Sequence, residues 1–177
     1  MGALTTLADR SVAKLTEEEI IRRVVQSLAD AAPAFPEGPG GDCAHLPTTG
    51  GRSIRASTID SVLLGRHFDA ACDGIRAGAK LVNRNLSDLA AAGAVPSDAL
   101  LSLVIGPDVD ATWLTDFAHG AGRAAAKAGL RIVGGDICRG SNGSFIGTLA
   151  LQGFAHRILT RKTCAVGDAL FVTGQLG

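Results

Sequence analysis

The sequence lacks any excess of charge of one sign and any long apolar run. Lysine plus arginine and aspartate plus glutamate number 17 each among 177 residues. Because no window concentrates the basic residues, the chain has no electrostatic surface for duplex nucleic acid or an anionic membrane. The longest uncharged stretch, 140–155, is broken by polar residues and glycines, which excludes a membrane span. Asp9 and Arg10 interrupt what would be a signal core, so we expect a cytoplasmic protein.

Several motifs that carry chemistry are also missing. The four cysteines show no C-x-x-C spacing, which excludes a zinc knuckle and a redox pair and predicts reduced thiols. There is no G-x-x-x-x-G-K-[ST] loop, no G-x-G-x-x-G turn and no G-x-S-x-G elbow. A nucleotide site would therefore need a different architecture. Tyrosine is absent and tryptophan occurs once, whereas 23 glycines indicate tight turns or close backbone approaches to a ligand.

The first element is an amphipathic helix predicted over 16–31. Thr16 and Glu19 form a capping box, and an apolar stripe follows with helical spacing. Pro33 ends the helix, and the glycine- and proline-rich segment 34–41 predicts a loop. We therefore divide the chain into an N-terminal helix and loop, 1–36, and a main domain, 37–177.

The main domain alternates apolar runs with helical patterns. At 46% hydrophobic content the chain can bury one core. Predicted helices span 74–92 and 111–128, the second capped by Asp110, and predicted strands span 54–59, 62–64, 100–105, 130–133, 144–154 and 169–173. This order predicts an α+β fold, a two-layer mixed β-sheet with helices on one face.

Asp88 is the most informative acidic residue, because it lies between Leu86 and Leu89 in a helix that is otherwise apolar. Asn85 falls on the same helical face. A carboxylate there requires a cation or several hydrogen bonds. The alternative is that Asp88 faces solvent or pairs with Arg84.

Three further aspartates stand at predicted turns or strand ends. Asp42 and Asp136 each follow two glycines, and Asp60 ends a predicted strand. Such turns bring a phosphate or hydrated metal ion close to main-chain N–H groups, although turn aspartates also act as simple caps. Carboxylates without cysteine or histidine partners suit Mg²⁺ and not Zn²⁺. His67 follows Asp60 closely enough to share its site, and the acid-flanking cysteines Cys43 and Cys138 are interpreted as small buried residues.

Taken together, these segments resemble the N-terminal domain of the thiamine-monophosphate kinases. That superfamily also holds aminoimidazole ribonucleotide synthetase, selenophosphate synthetase and a hydrogenase-maturation protein, and the resemblance runs from about Gly38 to Gly177. The segments that carry it are Gly41-Asp42-Cys43-Ala44, Thr58-Ile59-Asp60, Gly65-Arg66-His67-Phe68, Asn85-Leu86-Ser87-Asp88-Leu89-Ala90, Gly134-Gly135-Asp136 with Arg139-Gly140, Leu159-Thr160-Arg161 and Val172-Thr173-Gly174.

The resemblance implies an aminoimidazole ribonucleotide synthetase N-terminal-domain-like fold, a homodimer and a set of site residues. It implies ATP-dependent phosphorylation of thiamine monophosphate to thiamine diphosphate by in-line transfer, with Mg²⁺ and without a general base, since the acceptor phosphate is already anionic. The implied roles are metal ligands for Asp42, Thr58, Asp60, Asp88 and Asp136, contacts to ATP for Gly135, Asp136 and Arg161, and a contact to thiamine phosphate for His67.

The sequence departs from this family at three places. Gly41 replaces the first acid of the usual Gly-Asp-Asp, and Ile59 stands where a hydroxyl residue is common. The family continues into a C-terminal domain that we expect to be absent from this chain. Two alternatives follow: a related ATP-dependent synthetase with another acceptor, or a truncated, non-catalytic nucleotide-binding or dimerisation module.

Overall fold

The computed structural model describes residues 12–28, 31, 33–34, 36–39, 41–48, 53–157, 159–162, 164–172 and 174–175. The chain divides into two compact units, residues 1–40 and 41–177. Each unit is described by itself.

The N-terminal unit contains helix α1 (Glu17–Leu28), preceded by a short 3-10 turn at Val12–Lys14. The predicted capping box is confirmed: the Glu19 amide donates to Thr16 Oγ1 at 3.2 Å, and the Thr16 amide donates to Glu19 Oε2 at 2.7 Å. Helix α1 is described as far as Leu28, and residues 29 and 30 of the predicted helix lie outside the described part. The loop residue Gly40 lies outside it as well.

The larger unit is a mixed sheet with two helices. Its elements are β1 (Ala44–Pro47), β2 (Ile54–Leu63), α2 (Gly74–Ala91), β3 (Val95–Ile105), α3 (Ala111–Lys127), β4 (Arg131–Arg139) and β5 (Phe145–Ala155). Among the described residues the strand order is β1-β2-β5-β3-β4, with β3 and β4 parallel and the other pairs antiparallel. The predicted α+β fold is confirmed.

Both helices cover one side of the sheet, here called the helix face. In β5 the buried residues alternate with less buried ones, as expected for a strand with one face in the core. Gly147 of β5 faces Phe117 of α3 and Leu81 of α2, which places both helices on the same side. The opposite side, here called the open face, exposes apolar residues such as Ile59 (65%) and Leu100 (54%).

The two helices approach each other closely through glycine. A Cβ at Gly78 of α2 would overlap the carbonyl oxygen of Phe117, and one at Gly120 of α3 would overlap that of Ile75. Each helix has an aspartate N-cap, Asp73 for α2 and Asp110 for α3. The α2–α3 pair is therefore fixed by contact between backbones.

The structure corrects several sequence predictions. The predicted strand 54–59 and residues 62 and 63 of the predicted run 62–64 belong to one strand, β2, so Asp60 lies inside a strand and not at its end. Leu64 follows the strand and forms an isolated bridge to Phe68. Likewise β4 does not stop before Gly134-Gly135-Asp136 but runs through it to Arg139. No strand occupies 169–172, and Thr173 lies outside the described residues. Strand β1 was not predicted, because Ala-His-Leu-Pro has no β pattern and proline is tolerated only at a sheet edge.

None of the described helices is long and apolar enough to cross a membrane.

Candidate functional site

Four of the residues singled out in the sequence analysis meet where β2 passes α2. Thr58 Oγ1 donates to Asp88 Oδ2 at 2.7 Å, and Cys43 Sγ donates to the Asp88 carbonyl at 3.4 Å. Burial, then the charges of Asp88 and Asp42, raise the pKa of the Cys43 thiol to about 12. Asp42, Cys43, Thr58 and Asp88 are called the Asp88 cluster below.

Cys43 has the packing role expected from its sequence, since it is only 3% exposed. The same expectation is wrong for Cys138, which is exposed because β4 lies at the edge of the sheet. All four cysteines are free, as predicted. A thiol with its pKa near 12 stays protonated at neutral pH, so Cys43 acts as a donor and not as a nucleophile.

Asp60 lies next to this cluster, two residues along β2 on the same face, but it is bound differently. Arg84 Nε donates to Asp60 Oδ2 at 2.8 Å, and Nη2 forms an ion pair with the same oxygen at 2.7 Å. The other oxygen, Oδ1, accepts the amide of Ser61 at 2.9 Å. The alternative pairing of Arg84 with Asp88 is not formed: Arg84 pairs with Asp60, and the Asp88 carboxylate accepts a hydrogen bond from Thr58.

His67 follows the end of β2 and lies near Asp60 and Arg84. Its Nδ1 accepts the amide of Leu63 at 3.0 Å, which leaves the proton of the neutral ring on Nε2. Burial and the nearby Arg84 charge lower the pKa of His67, and Asp60 opposes them. His67 is therefore a neutral hydrogen-bond donor at physiological pH.

Arg161, predicted to contact ATP, is close to a predicted metal ligand. Its Nε lies 3.6 Å from Asp42 Oδ2, and its side chain is 70% exposed. An exposed pair at this distance is weak and readily exchanged for a stronger partner. Arg161 thus brings a positive charge to the edge of the Asp88 cluster.

Asp136 does not join these residues. In the sheet register it follows a row across the open face: Ser61 pairs with Thr148, Thr148 with Ser102, and Ser102 with Asp136. The Ser61 and Thr148 hydroxyls are 2.8 Å apart, which confirms that this row shares one face. Since Ser61 and Asp60 are adjacent in β2, their side chains point to opposite sides of the sheet. Asp136 is therefore separated from the Asp88 cluster by the sheet.

The open face carries a shallow cavity of about 310 Å³ beside this row, with Gly135 and Asp136 in its wall. Cys138 Sγ donates to Asp136 Oδ2 at 3.0 Å, and this bond raises the pKa of the Cys138 thiol. A second cavity, of about 210 Å³ beside Trp113 and Phe145, is lined by none of the predicted site residues.

The described residues contain no group of three or more His, Cys, Asp or Glu side chains arranged to hold a metal ion. Mg²⁺ does not require such a group, because it is commonly held by one or two carboxylates together with waters and substrate phosphates. The Asp88 cluster supplies two carboxylates and a hydroxyl, all hard oxygen donors. It fits Mg²⁺ held jointly with a phosphate, whereas Asp60 already has a cation as its partner.

Comparison with known proteins agrees with this architecture. Residues 40–155, more than half of the chain, match the family described as AIR synthase related protein, N-terminal domain. The chain is 37% identical over 142 residues to a thiamine-monophosphate kinase of Escherichia coli (strain K12), covering 79% of this chain and 42% of that protein. It is 30% identical over 172 residues to the one of Synechococcus elongatus, covering 97% and 50%. The chain thus spans about half the length of these relatives.

Solved structures show the same fold. AaThiL complexed with AMPPCP and TMP superposes with a TM-score of 0.78 at 24% identity, covering 94% of this chain and 49% of that chain. Thiamine-monophosphate kinase from Stenotrophomonas maltophilia K279a superposes with a TM-score of 0.55 at 28% identity, covering 77% and 41%. The chain belongs to the AIR synthase related family, of which it carries the N-terminal domain.

Proposed function

We propose that this chain forms the metal- and nucleotide-binding part of a thiamine-phosphate kinase. The reaction transfers the γ-phosphoryl group of ATP to the phosphate of thiamine monophosphate, giving thiamine diphosphate and ADP. The similarity to thiamine-monophosphate kinases over most of this chain supports the reaction. The observation that carries the proposal is the Asp88 carboxylate, held by Thr58 beside Asp42 and Arg161. We expect the reaction in the cytoplasm, where ATP and Mg²⁺ are abundant.

The Asp88 cluster is the proposed magnesium site. When bound, Mg²⁺ neutralises the phosphate charges that otherwise keep donor and acceptor apart. Thr58 orients the Asp88 carboxylate by donating to Oδ2, which leaves Oδ1 for the ion. Arg161 can leave its long contact with Asp42 and bind a phosphate of ATP, because a phosphate offers it a stronger, bidentate partner.

The acceptor needs binding and orientation more than activation. Its phosphate is already anionic at neutral pH, so no side chain has to remove a proton. His67 donates from Nε2, since Nδ1 is occupied by the Leu63 amide, and we assign this donor to the phosphate of thiamine monophosphate. The lowered pKa of His67 keeps it neutral, so it binds the anion by hydrogen bonding without adding charge.

Gly135 and Asp136 lie beside the open-face cavity, across the sheet from the Asp88 cluster, and we propose for them a separate contact to ATP and, for Asp136, a separate metal ion. We further propose a homodimer in which the open faces of two copies pack together. The support is the apolar surface there, with Ile59, Leu100 and Phe154 exposed by 65%, 54% and 42%. Asp136 and the cavity beside it would then lie at the interface between copies.

The test is turnover of thiamine monophosphate with ATP and Mg²⁺, measured on the protein and on two variants of Thr58. Thr58→Val keeps the shape but removes the hydroxyl that orients Asp88, so we expect kcat/KM to fall by about 10-fold or more. Thr58→Ser keeps the hydroxyl and should restore most of the activity.

Asp88→Asn should be at least as impaired as Thr58→Val, with Asp116→Asn on α3 as the matched carboxylate control. Full activity of Asp88→Asn would refute the metal assignment. Turnover of another phosphate acceptor, with none of thiamine monophosphate, would favour a related synthetase or kinase of the same family.

A further inference from the structure

We propose that Arg84 takes the place of a divalent cation at Asp60, so that Asp60 is a positioning residue and not a magnesium ligand. The inference rests on the proposed function, because it concerns which carboxylates of that site hold the metal. It separates Asp60 from Asp88, although Asp60 lies only two residues along β2 from Thr58, the partner of Asp88.

Both oxygens of the Asp60 carboxylate are already used. Oδ2 accepts a hydrogen bond from Arg84 Nε and forms an ion pair with Nη2, and Oδ1 accepts a hydrogen bond from the amide of the next residue, Ser61. By contrast, the carboxylate of Asp88 accepts one bond from a neutral hydroxyl. The negative charge is thus compensated at Asp60 by a full positive charge, whereas at Asp88 it is not.

The Asp60–Arg84 pair is built into the way α2 lies on β2. The residue after Arg84, Asn85, is fully buried and donates through Nδ2 to the Asp60 carbonyl at 3.4 Å and to the Leu81 carbonyl at 3.0 Å. Consecutive residues of α2 therefore hold the main chain and the side chain of Asp60. The Asp60 and Arg84 side chains are 31% and 37% exposed, so the pair is partly shielded from water.

A magnesium ion at Asp60 would have to share Oδ2 with the Nε–H donor of Arg84 and lie directly beside the guanidinium. Mg²⁺ requires oxygen ligands at about 2.0–2.1 Å in octahedral geometry and loses its waters reluctantly. Binding would therefore require Arg84 to leave Asp60 while its neighbour Asn85 remains buried. Arg84 instead supplies the positive charge itself, fixed in position and independent of the metal concentration.

The experiment locates Mn²⁺ in crystals of the protein grown with Mn²⁺ and a non-hydrolysable ATP analogue, by anomalous scattering. In the wild-type protein we expect no Mn²⁺ within coordination distance of Asp60. In Arg84→Gln, which keeps a shorter polar side chain but removes the charge, we expect an ion at Asp60. In solution this variant should bind about one more Mn²⁺ per chain. Arg84→Lys keeps the charge and serves as the folding control.

Removing the Asp60 carboxylate tests in a second way whether Asp60 is a metal ligand. Asp60→Asn should bind as many Mn²⁺ ions as the wild-type protein, whereas Asp88→Asn should bind fewer or bind them about 10-fold more weakly. An ion at Asp60 in the wild-type protein, a loss of bound Mn²⁺ in Asp60→Asn, or no gain in Arg84→Gln would each overturn the role of Arg84. Unchanged Mn²⁺ binding in Asp88→Asn would instead refute the metal site of the proposed function, and the Arg84→Gln comparison would still decide the present inference.

Discussion

Gly135→Ala should destabilise the protein even when no nucleotide is present. Gly135 lies in β4 opposite Leu101 of β3. A Cβ at Gly135 would overlap the Leu101 carbonyl oxygen and stand 2.7 Å from its carbonyl carbon. These are backbone atoms in the centre of a strand pair, so the overlap is relieved only by moving β4 away from β3. Such overpacking costs about 1–3 kcal/mol, and a loss of 2 kcal/mol lowers the melting temperature of a domain this size by about 4–8 °C.

The neighbouring glycine provides the control. A Cβ at Gly134 would meet only the Leu100 Cδ2 atom, at 3.3 Å, and a leucine side chain can shift by the small amount required. Thermal and urea unfolding followed by circular dichroism, without ATP, should therefore rank Gly135→Ala clearly below Gly134→Ala. Equal stability of the two variants would refute the steric argument. If Gly135→Ala then showed weakened ATP binding alone, the role of Gly135 would be contact with the nucleotide.

Three other predictions concern the helix pair, a thiol and a histidine. Gly78→Ala should lose about 1–3 kcal/mol of stability because its Cβ overlaps the backbone of α3. Gly122→Ala, with nothing within 4 Å, should gain about 0.5–1 kcal/mol, and urea unfolding that gave both variants the same sign would contradict this. Iodoacetamide at pH 8 should modify exposed Cys164 but not Cys43, whose pKa is about 12, and mass spectrometry of the folded protein checks the order. Because the folded state lowers the pKa of His67, its contribution to stability is present above about pH 6.5 and is lost on acidification below that value. His67→Gln should therefore lose less unfolding free energy between pH 7 and pH 5 than the wild-type protein.

The elements that sequence predicted well are those with signals inside the element itself. The Thr16–Glu19 capping box and the Asp110 N-cap identified two helix starts, and both are formed. Gly93 and Gly129, with φ of 66° and 69°, mark the ends of α2 and α3 where expected. In contrast, the double glycine at 134–135 was interpreted as a turn. Gly135 is instead required by the close backbone of β3, which belongs to a distant part of the sequence, whereas Gly134 meets only the Leu100 side chain.

The candidate site could be predicted even less completely, because its contacts join residues from different elements. The acidic character of Asp42, Asp60, Asp88 and Asp136 was visible in the sequence, but their partners were not, since those partners come from other elements. Arg84 stands four residues before Asp88 in the helix, which makes that pairing plausible from spacing alone. Only the position of α2 over β2 shows that Arg84 reaches Asp60. Similarly, the location of Asp136 on the open face follows from the register of three strands.

Two of the side-chain contacts between α2 and β2, Arg84 with Asp60 and Asp88 with Thr58, have matching spacings. Arg84 and Asp88 are four residues apart in a helix, which is a rise of about 6 Å. Their partners Asp60 and Thr58 are two residues apart in a strand, which is about 6.6–6.8 Å. The two spacings agree only when the helix runs beside the strand in the opposite direction. A slip of α2 by a single residue would turn it by about 100° and break both contacts together. Both contacts therefore form at only one alignment of α2 with β2, and the positions of the Asp60 and Asp88 carboxylates depend on that alignment.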